Sequence, residues 1–374
     1  MCKHTESKQN TRSGILICGS YGLGNAGDES ILKAILQDVR SAAPQEEIIV
    51  LSRDPEETTQ RHHVRSLHMF DFPGFHRIMR HARLYINGGG SLIQDVSSRR
   101  SLWYYLYTLR AAKKRGCKVL MYGCGIGPVN YPKDIDLTRR VLNRYVDTIT
   151  LREDASREEL QKFGVTQPKV ILASDPALTL HRAADAEIDA LMTEYGLDPG
   201  GKYLCLCLRP WKDFEPKVPV FAEVVHYAKA QYGLTPVFLS INHLDDGAAA
   251  DAVAALLGEA PCVIRQPLST ELTLGLMSRM QAIISMRLHG LIFAAGQGIP
   301  LVGVVYDPKV SAFLSYMDQH LYEDLSMITG ESLCRKLDAA MALHGDTAAL
   351  ESAVARLRSM GRNNTDALRE LLDS

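Results

Sequence analysis

The sequence lacks three features that would each point to a specialised class of protein. None of its eight cysteines forms a CxxC pair, so the spacing does not favour a zinc site, and buried free thiols in a reducing compartment are expected instead. No apolar run approaches the ~20 residues that a membrane span needs. Charge of one sign is not in excess, because 42 Lys and Arg face 43 Asp and Glu. A broad nucleic-acid-binding surface is therefore not indicated, and no nucleic-acid partner is expected.

The size and composition are those of a globular protein with more than one domain. The chain has 374 residues, of which 46% are hydrophobic and 23% charged, which is enough for two domains of ordinary size. Residues 1–12 are polar and lack an apolar signal core, which predicts a disordered leader and a cytoplasmic location. Peripheral attachment to the inner face of the plasma membrane stays open, as does a homo-oligomer.

Short apolar runs alternate with amphipathic helical patterns along most of the chain. This alternation is typical of doubly wound parallel sheets. It predicts an N-terminal Rossmann-like domain over residues 13–178 and a C-terminal Rossmann-like domain, with the C-terminal helices, over residues 203–374. The segment 179–202 changes character and is predicted to be the linker. The predicted fold class is thus α/β, with two Rossmann-like domains facing each other across a cleft as in the GT-B architecture, which by itself identifies no reaction.

The most informative stretch contains two apolar strands with a short helix between them. Arg287 and His289 follow the apolar run 282–284, where the chain turns into the helix, and Lys309 follows the strand 301–305. In open α/β sheets, ligands bind beyond the carboxyl ends of the strands, where a helix N-terminus also offers unpaired N–H groups. The three cations therefore predict a pocket for an anion that carries phosphate and carboxylate. The alternative is an ordinary βαβ unit with surface cations.

Two glycine-rich segments follow strands in the first half of the chain and predict a close approach of backbone to ligand. The spacing in segment 19–29 is not that of a dinucleotide fingerprint, so binding of NAD is disfavoured. This segment brings Asn25 and Asp28 to the start of a helix, where Asp28 can serve either as a cap or in function. The second segment supplies further polar and glycine candidates for substrate binding, which are Gly89, Gly90, Ser91, Gln94 and Asp95.

Eight motifs follow one another between Gly14 and about Phe313. They are Tyr21-Gly-Leu-Gly-Asn-Ala-Gly-Asp-Glu-Ser30, Asn87-Gly-Gly-Gly-Ser-Leu-Ile-Gln-Asp95, Gly125-Ile-Gly-Pro128, Leu151-Arg-Glu153, Asp175-Pro-Ala177, Leu208-Arg-Pro-Trp211, Ser285-Met-Arg-Leu-His289 and Tyr306-Asp-Pro-Lys309. In this order they resemble the motifs of the polysaccharide pyruvyltransferases, in particular of the CsaB type.

The resemblance implies an enzyme that transfers the pyruvyl group of phosphoenolpyruvate onto a sugar as a ketal and releases phosphate, without a cofactor. For the CsaB type it implies a lipid-linked N-acetylmannosamine-containing disaccharide as acceptor at the membrane surface. The product then serves secondary cell wall polysaccharide biosynthesis and S-layer anchoring. The exact acceptor sugar, the lipid carrier and the ketal stereochemistry are not fixed by the sequence.

The residue types fit the donor that the resemblance implies. A molecule with neighbouring phosphate and carboxylate groups needs at least two cations, and Arg suits bidentate contact with oxyanions. Arg152 from the first half can act with Arg287, His289 and Lys309 from the second. Arg209, at the end of another strand, is a further binding candidate. No metal-ligand cluster occurs in the sequence, so no metal is expected.

Three residues are candidates for proton transfer, each with an alternative role. His289 is a candidate acid because its ordinary pKa lies near working pH, and pure phosphate binding is its alternative. Asp28 and Asp95 are candidate bases on the acceptor side, with helix capping and loop bonding as alternatives. Asn25, Gly89, Gly90, Ser91 and Gln94 are expected on the same acceptor side.

Two other function classes stay open. One is a GT-B glycosyltransferase that uses a nucleotide-sugar, and the other is a non-catalytic sensor of glycan or nucleotide. A glycosyltransferase would release a nucleotide, whereas a pyruvyltransferase would release phosphate and require phosphoenolpyruvate. A sensor would differ from both enzymes because it would show no turnover.

Overall fold

The structure is a computed structural model that describes residues 12–343, 345 and 347–374. In its first half, seven strands form one sheet in which all neighbouring strands are parallel. The strands are β1 (Ile15–Cys18), β2 (Ile48–Ser52), β3 (Arg65–His68), β4 (Leu84–Ile93), β5 (Lys118–Ile126), β6 (Thr148–Leu151) and β7 (Lys169–Leu172). Their order across the sheet is β3-β2-β1-β4-β5-β6-β7.

Six strands of the second half form another parallel sheet. They are β8 (Tyr203–Cys207), β9 (Thr235–Leu239), β10 (Cys262–Ile264), β11 (Ala282–Ser285), β12 (Leu301–Val305) and β13 (Tyr322–Asp324). Their order is β10-β9-β8-β11-β12-β13. The predicted α/β class with two parallel-sheet halves is therefore confirmed.

Helices connect the strands and cover both faces of the sheets. In the first half they are α1 (Ala26–Ala42), α2 (Pro55–His62), α3 (Phe72–Ile78), α4 (Arg99–Lys114), α5 (Pro132–Tyr145) and α6 (Ala155–Phe163). Later in the chain they are α7 (Asp185–Glu194), α8 (Val218–Tyr232), α9 (Asp246–Ala254), α10 (Thr270–Met277), α11 (Leu288–Gly296), α12 (Pro308–Tyr316), α13 (Gly330–Ala342) and α14 (Ala348–Asp373). Because both faces are covered, a central strand such as β11 is buried along its whole length, which explains its continuous apolar sequence.

The last helix, α14, contacts both halves of the molecule. Leu350 and Val354 belong to the apolar core on one face of the second sheet, whereas Ala367 and Leu368 belong to a core of the first sheet. The helix α7 lies inside the predicted linker 179–202 and packs Ile188 into the core of the second half. The domain boundaries stay predictions.

The predicted leader 1–12 lies outside the described residues except for its last residue. There, Arg12 Nε donates a hydrogen bond to the Ala82 carbonyl at 2.8 Å.

The second glycine-rich segment, which the sequence analysis places after a strand, is part of the strand itself. β4 continues through the three glycines to Ile93, and β5 continues to Ile126. The pairing of β4 with β5 shifts register between Gly90 and Ile93, where Gly89 and Gly90 have φ of +59° and +69°. Positive φ at two consecutive residues requires glycine, so these glycines form an irregular strand end beside α1.

No helix among the described residues combines the length and the apolar character that crossing a bilayer requires.

We predict that Gly89→Ala destabilises the fold strongly. A Cβ at Gly89 would lie 1.9 Å from Ile31 Cγ2, and the residue has a φ of +59°. Overpacking and backbone strain together should lower the free energy of unfolding by at least about 2 kcal/mol, measured by urea titration. Gly233→Ala is the matched control, since Gly233 has a φ of +67° but nothing within 4 Å of the added Cβ. Equal losses in the two variants would contradict the packing role of Gly89.

Candidate active site

A cavity of about 220 Å3 lies where the carboxyl ends of both sets of strands meet. Its lining includes most of the residues that the sequence predicted for the site: Asn25, Asp28, Gly90, Ser91, Gln94, Arg152, Arg209, Arg287, His289 and Lys309. Residues from both halves of the chain thus form one site.

Backbone hydrogen bonds join the two halves beside the cavity. The amide of Ala26 donates to the Ile241 carbonyl at 2.8 Å, and the amide of His243 donates to the Gly24 carbonyl at 2.8 Å. Between these two bonds, Asn25 and Asn242 form an antiparallel bridge. The glycine-rich loop before α1 is therefore held by the loop after β9.

Asn25, rather than Asp28, caps helix α1. Its Oδ1 accepts a hydrogen bond from the amide of Gly27 at 2.9 Å. The helix consequently begins at Ala26, five residues before Ile31, where the apolar pattern starts. The side chain of Asp28 is left to the cavity, and the capping alternative for Asp28 is not supported.

The environment of Asp28 favours its protonated form. Burial, with the neighbouring charge of Glu29, raises the pKa of Asp28 to about 7, although Arg152 and Lys309 act in the opposite direction. Gly90 leaves the carboxylate accessible, since a Cβ there would lie 3.3 Å from Asp28 Oδ1. Asp28 can therefore exchange a proton near neutral pH, as a catalytic acid or base must.

Glu29, the residue after Asp28, is a structural support of the glycine-rich loop. Its Oε1 accepts a hydrogen bond from the Gly22 amide at 2.8 Å, and its Oε2 lies 2.8 Å from Nε2 of the buried His62. This buried carboxylate fixes both the loop before α1 and the end of α2.

The start of helix α11 also lines the cavity. Arg287 occupies the N-cap position in extended conformation, and no side chain caps the first N–H groups of this helix within the described part of the chain. The N-terminus of a helix attracts anions because its unpaired N–H groups carry partial positive charge.

Arg287 is held in place by a buried carboxylate. Its Nε donates to Asp246 Oδ1 at 2.9 Å and to Oδ2 at 3.0 Å. Asp246 Oδ2 also accepts the amides of Ile241 and Asn242 at 3.0 and 2.9 Å. Removing the Arg287 side chain would leave the Asp246 carboxylate unpaired in the interior, which is strongly destabilising.

Arg152 is held in the same manner from the first half. Its Nε donates to Glu153 Oε2 at 2.8 Å, its Nη1 to Asp175 Oδ2 at 3.2 Å and its Nη2 to Ser91 Oγ at 3.0 Å. Asp175 Oδ2 also lies 3.8 Å from His289 Nε2, so one buried carboxylate faces Arg152 from the first half and the imidazole of His289 from the second.

His289 is buried and surrounded by positive charge. Burial lowers its pKa to about 4; Asp175 opposes this shift, whereas Arg152, Lys309 and Arg287 add to it. The ring is therefore neutral at neutral pH, unlike the expectation that its pKa would lie near working pH. The ring packs against α1 across the cleft, since a Cβ on Gly27 would lie 2.0 Å from His289 Nδ1.

The two remaining cations are less firmly tied to acids. Arg209 donates from Nη1 to the Tyr306 hydroxyl at 2.7 Å, and its guanidinium lies 4.6 and 4.7 Å from the ring centroids of Trp211 and Tyr306. Lys309 Nζ lies 3.2 Å from Asp307 Oδ2, and its side chain is 32% exposed. Of the cations around the cavity, these two keep the most freedom to contact a ligand.

Two predicted site residues do not line the cavity. Asp95 accepts hydrogen bonds from the backbone and side-chain nitrogens of Asn130, both at 2.8 Å, and from the Tyr131 amide at 3.1 Å. This is the loop-bonding role that was its alternative. Gly89 packs against Ile31 instead of facing a ligand, because its place in the strand end brings it under α1.

Sequence reasoning assigned no role to Asp175 and Asp246, the carboxylates that hold the arginines. Both follow strands, so the signal that identified the cations was present for them too. Asp175 even begins one of the eight motifs. Their task could not be recognised because the pairing joins segments far apart in sequence.

The arrangement suits a small, multiply charged anion and a proton transfer beside it. Four cations, a helix N-terminus, the buried His289 and Asp28 all line the cavity. Among the described residues, no group of three or more His, Cys, Asp or Glu side chains is placed to hold a metal ion.

Comparison with known proteins identifies a family. The model of the family described as polysaccharide pyruvyl transferase matches residues 25–308. The amylovoran biosynthesis protein AmsJ of Erwinia amylovora is 23% identical to this chain over 387 residues, covering 87% of this chain and 92% of AmsJ.

Solved structures share the two-sheet fold at low sequence identity. A glycosyltransferase from Rickettsia africae is 13% identical with a TM-score of 0.61, covering 96% of this chain and 99% of that one. The UDP-GlcNAc 2-epimerase from Neisseria meningitidis is 10% identical with a TM-score of 0.65, with the same coverage. Anabaena HepE, in complex with UDP-glucose, is 11% identical with a TM-score of 0.62, covering 95% of this chain and 99% of HepE. These likenesses show a GT-B-like fold.

We predict that Asp28→Asn stabilises the protein at pH 8 and has little effect at pH 4. A carboxyl group whose pKa is raised from 3.8 to about 7 loses folding stability as the pH rises through this range, and the neutral Asn avoids that loss. Since Asp28 is partly exposed, we expect a gain of roughly 1 kcal/mol at pH 8. Thermal unfolding at both pH values measures the difference. A variant that is equally stable to the wild type at pH 8 would contradict the raised pKa.

Proposed function

This chain belongs to the polysaccharide pyruvyl transferase family, and we propose that it transfers the pyruvyl group of phosphoenolpyruvate to two hydroxyls of a sugar, forming a ketal. The observation that carries the proposal is the group of four cations, Arg152, Arg209, Arg287 and Lys309, that line the cavity together with His289 at the N-terminus of α11. A donor with a phosphate and a carboxylate on one small carbon skeleton matches such a dense positive site.

The donor binds on the α11 side of the cavity. Its phosphate binds at the helix N-terminus and contacts Lys309 and His289, because these groups offer N–H donors and positive charge. Its carboxylate binds Arg209, whose guanidinium is already oriented by Trp211 and Tyr306. Arg152 and Arg287 supply fixed positive charge, since their hydrogen bonds to buried carboxylates leave them little freedom to move.

The acceptor binds on the α1 side of the same cavity. Asn25, Asp28, Gly90, Ser91 and Gln94 line that side, and the glycine leaves room for a bulky sugar beside the backbone. We propose, from the resemblance to the CsaB type, a lipid-linked disaccharide that contains N-acetylmannosamine. Its modified product would then serve secondary cell wall polysaccharide and S-layer anchoring. The similarity to an amylovoran biosynthesis protein supports a role in polysaccharide biosynthesis.

The reaction requires two hydroxyl protons to be moved. The methylene carbon of the donor gains one proton, and C2 bonds to the first hydroxyl oxygen. The bond between C2 and the phosphate oxygen then breaks, and the second hydroxyl oxygen takes its place, while the other proton leaves on a base or with phosphate. Asp28, with a pKa of about 7, is the base for a hydroxyl.

His289 becomes the acid only with the donor beside it. Burial, and after it the surrounding cations, keep its pKa at about 4, and the negative phosphate of a bound donor offsets those cations. The pKa of His289 therefore rises on binding, and the ring takes up a proton that it can pass to the methylene carbon. In this way the donor supplies the charge that activates the acid.

We predict that incubation with phosphoenolpyruvate and a disaccharide acceptor containing N-acetylmannosamine yields one phosphate per added pyruvyl mass, detected by mass spectrometry. Activity should persist after chelator treatment. UDP-glucose and UDP-GlcNAc should give no transfer. Transfer of a sugar from either nucleotide would instead support a glycosyltransferase, and binding without turnover of any donor would support a sensor.

We predict that Lys309→Gln weakens phosphoenolpyruvate binding by roughly tenfold or more, because a charged contact is lost while the fold is kept. Lys309 is the better test than Arg287, whose removal would leave Asp246 unpaired. Lys229→Gln, at an exposed position on α8 where the lysine pairs with Glu259 as Lys309 pairs with Asp307, is the matched control. Equal effects of the two changes on the dissociation constant would sink the assignment of Lys309 to the donor.

The proton uptake by His289 is a separate prediction. Calorimetric titration of phosphoenolpyruvate at pH 6, in two buffers of different ionisation enthalpy, should show proton uptake by the Asp28→Asn variant. The Asp28→Asn/His289→Gln double variant should bind the donor without that uptake, because Gln retains a hydrogen-bond donor but does not titrate. Unchanged uptake in the double variant would show that another group takes the proton.

A further inference from the structure

A group of exposed aromatic side chains lies on the first half of the molecule, outside the cavity. Phe70, Phe72, Trp103, Tyr107 and Tyr131, here called the aromatic ridge, are between 39% and 49% exposed. Single exposed aromatics are ordinary on a protein surface, whereas a cluster of this kind marks a contact surface.

The ridge consists of two groups of rings, one helical turn apart on α4. The ring centroids of Phe70 and Phe72 are 6.5 Å apart, and those of Phe72 and Tyr107 are 5.6 Å apart. Trp103 lies one turn before Tyr107 on α4. The guanidinium of Arg99 lies 5.0 Å from the Trp103 ring centroid and 4.2 Å from that of Tyr131, which extends the row to the loop before α5.

Unpaired cations flank the aromatic rings on the same helix face. Arg100, Trp103, Tyr107, Arg110 and Lys114 are spaced at i, i+3, i+7, i+10 and i+14, which places them along one side of α4, and all five are exposed. Within the described part of the chain, none of the three cations forms an ion pair, although such pairs are common elsewhere on the surface.

The charge asymmetry extends beyond this face. The formal net charge of the whole chain is -1, but residues 72–118 contain ten Lys and Arg and a single acidic residue. That residue, Asp95, is buried. The helix α4 itself contains no acid. Three of these cations, Arg83, Arg99 and Lys113, form ion pairs with acids from other segments, which leaves the unpaired cations on the exposed side of α4. This side of the helix attracts a negatively charged surface and offers rings that can enter it.

The ridge begins at the rim of the cavity. Ser97 and Ser101, just before and within the first turn of α4, line the cavity, and Trp103 follows two residues later. Whatever covers the ridge is therefore next to the opening of the active site.

We propose that the aromatic ridge and the basic face of α4 bind the surface of a lipid bilayer that carries anionic headgroups. Trp and Tyr rings favour the level of the headgroups, where an apolar ring and a polar edge are both satisfied. Lys and Arg gain from the negative potential of such a surface. This inference goes beyond the proposed function and does not depend on it, since lipid binding is measured without donor or acceptor.

The test is flotation of the full chain with vesicles of phosphatidylcholine, with or without phosphatidylglycerol. The wild type should bind the vesicles that contain phosphatidylglycerol, and raised salt should weaken the binding. Phe70→Ser/Phe72→Ser and Arg100→Gln/Arg110→Gln/Lys114→Gln should each weaken the partition by roughly tenfold or more. Circular dichroism checks that both variants are folded.

Matched controls use exposed residues on the second half. Leu256→Ser/Met327→Ser removes comparable exposed apolar area, and Lys202→Gln/Lys229→Gln/Arg335→Gln removes the same charge. Both controls should bind as the wild type does. Absence of binding by the wild type, or equal losses in controls and ridge variants, would overturn the proposal. The proposal would also be overturned if the wild type is a dimer, the Phe70→Ser/Phe72→Ser variant is a monomer and vesicle binding is unaltered. The ridge would then be a self-association surface.

Discussion

The site depends on buried carboxylates that hold its arginines. Asp175 accepts a hydrogen bond from Arg152 Nη1 at 3.2 Å, and Asp246 accepts bonds from Arg287 Nε at 2.9 and 3.0 Å. Several cations around one cavity would otherwise repel one another and lose hydration. The paired acids compensate two of them and fix their geometry before a ligand arrives, as preorganised electrostatic sites require. The compensation is incomplete: burial is the main cause that lowers the pKa of His289 to about 4, and Arg152, Lys309 and Arg287 lower it further.

Each half of the chain contributes to the cavity one titratable residue, and the pKa values of these two residues are shifted in opposite directions. Asp28, at the start of α1, has a pKa raised to about 7, whereas His289, at the start of α11, has a pKa lowered to about 4. Both residues belong to first turns of helices that follow a strand of their own sheet. The hydrogen bonds between residues 24–26 and 241–243 join the loop before α1 to the loop before α9, and Asp246 at the start of α9 holds Arg287, the N-cap residue of α11. A separation of the halves would therefore abolish the site without altering either sheet.

Most of the fold and much of the site could be predicted from the sequence, because they follow from local patterns. Apolar runs followed by cations locate strand ends, and this identified Arg287, His289 and Lys309. Three features could not be predicted. The irregular strand end at the glycines of β4 depends on the pairing between β4 and β5. The pKa of His289 depends on burial and on three cations, two of which are distant in sequence. The hydrogen bonds that occupy Asp95 come from residues 130 and 131. Each depends on contacts between distant segments, which the periodicity of apolar residues along the sequence does not predict.

The central claim is that the cavity transfers a pyruvyl group, so that the bond between C2 and the phosphate oxygen breaks. Phosphoenolpyruvate labelled with oxygen-18 in that bridging position tests it most directly. Mass spectrometry of the released phosphate should find the label in the phosphate, with none in the sugar product. Label retained on the organic product, with unlabelled phosphate, would mean cleavage between phosphorus and oxygen and would contradict the account.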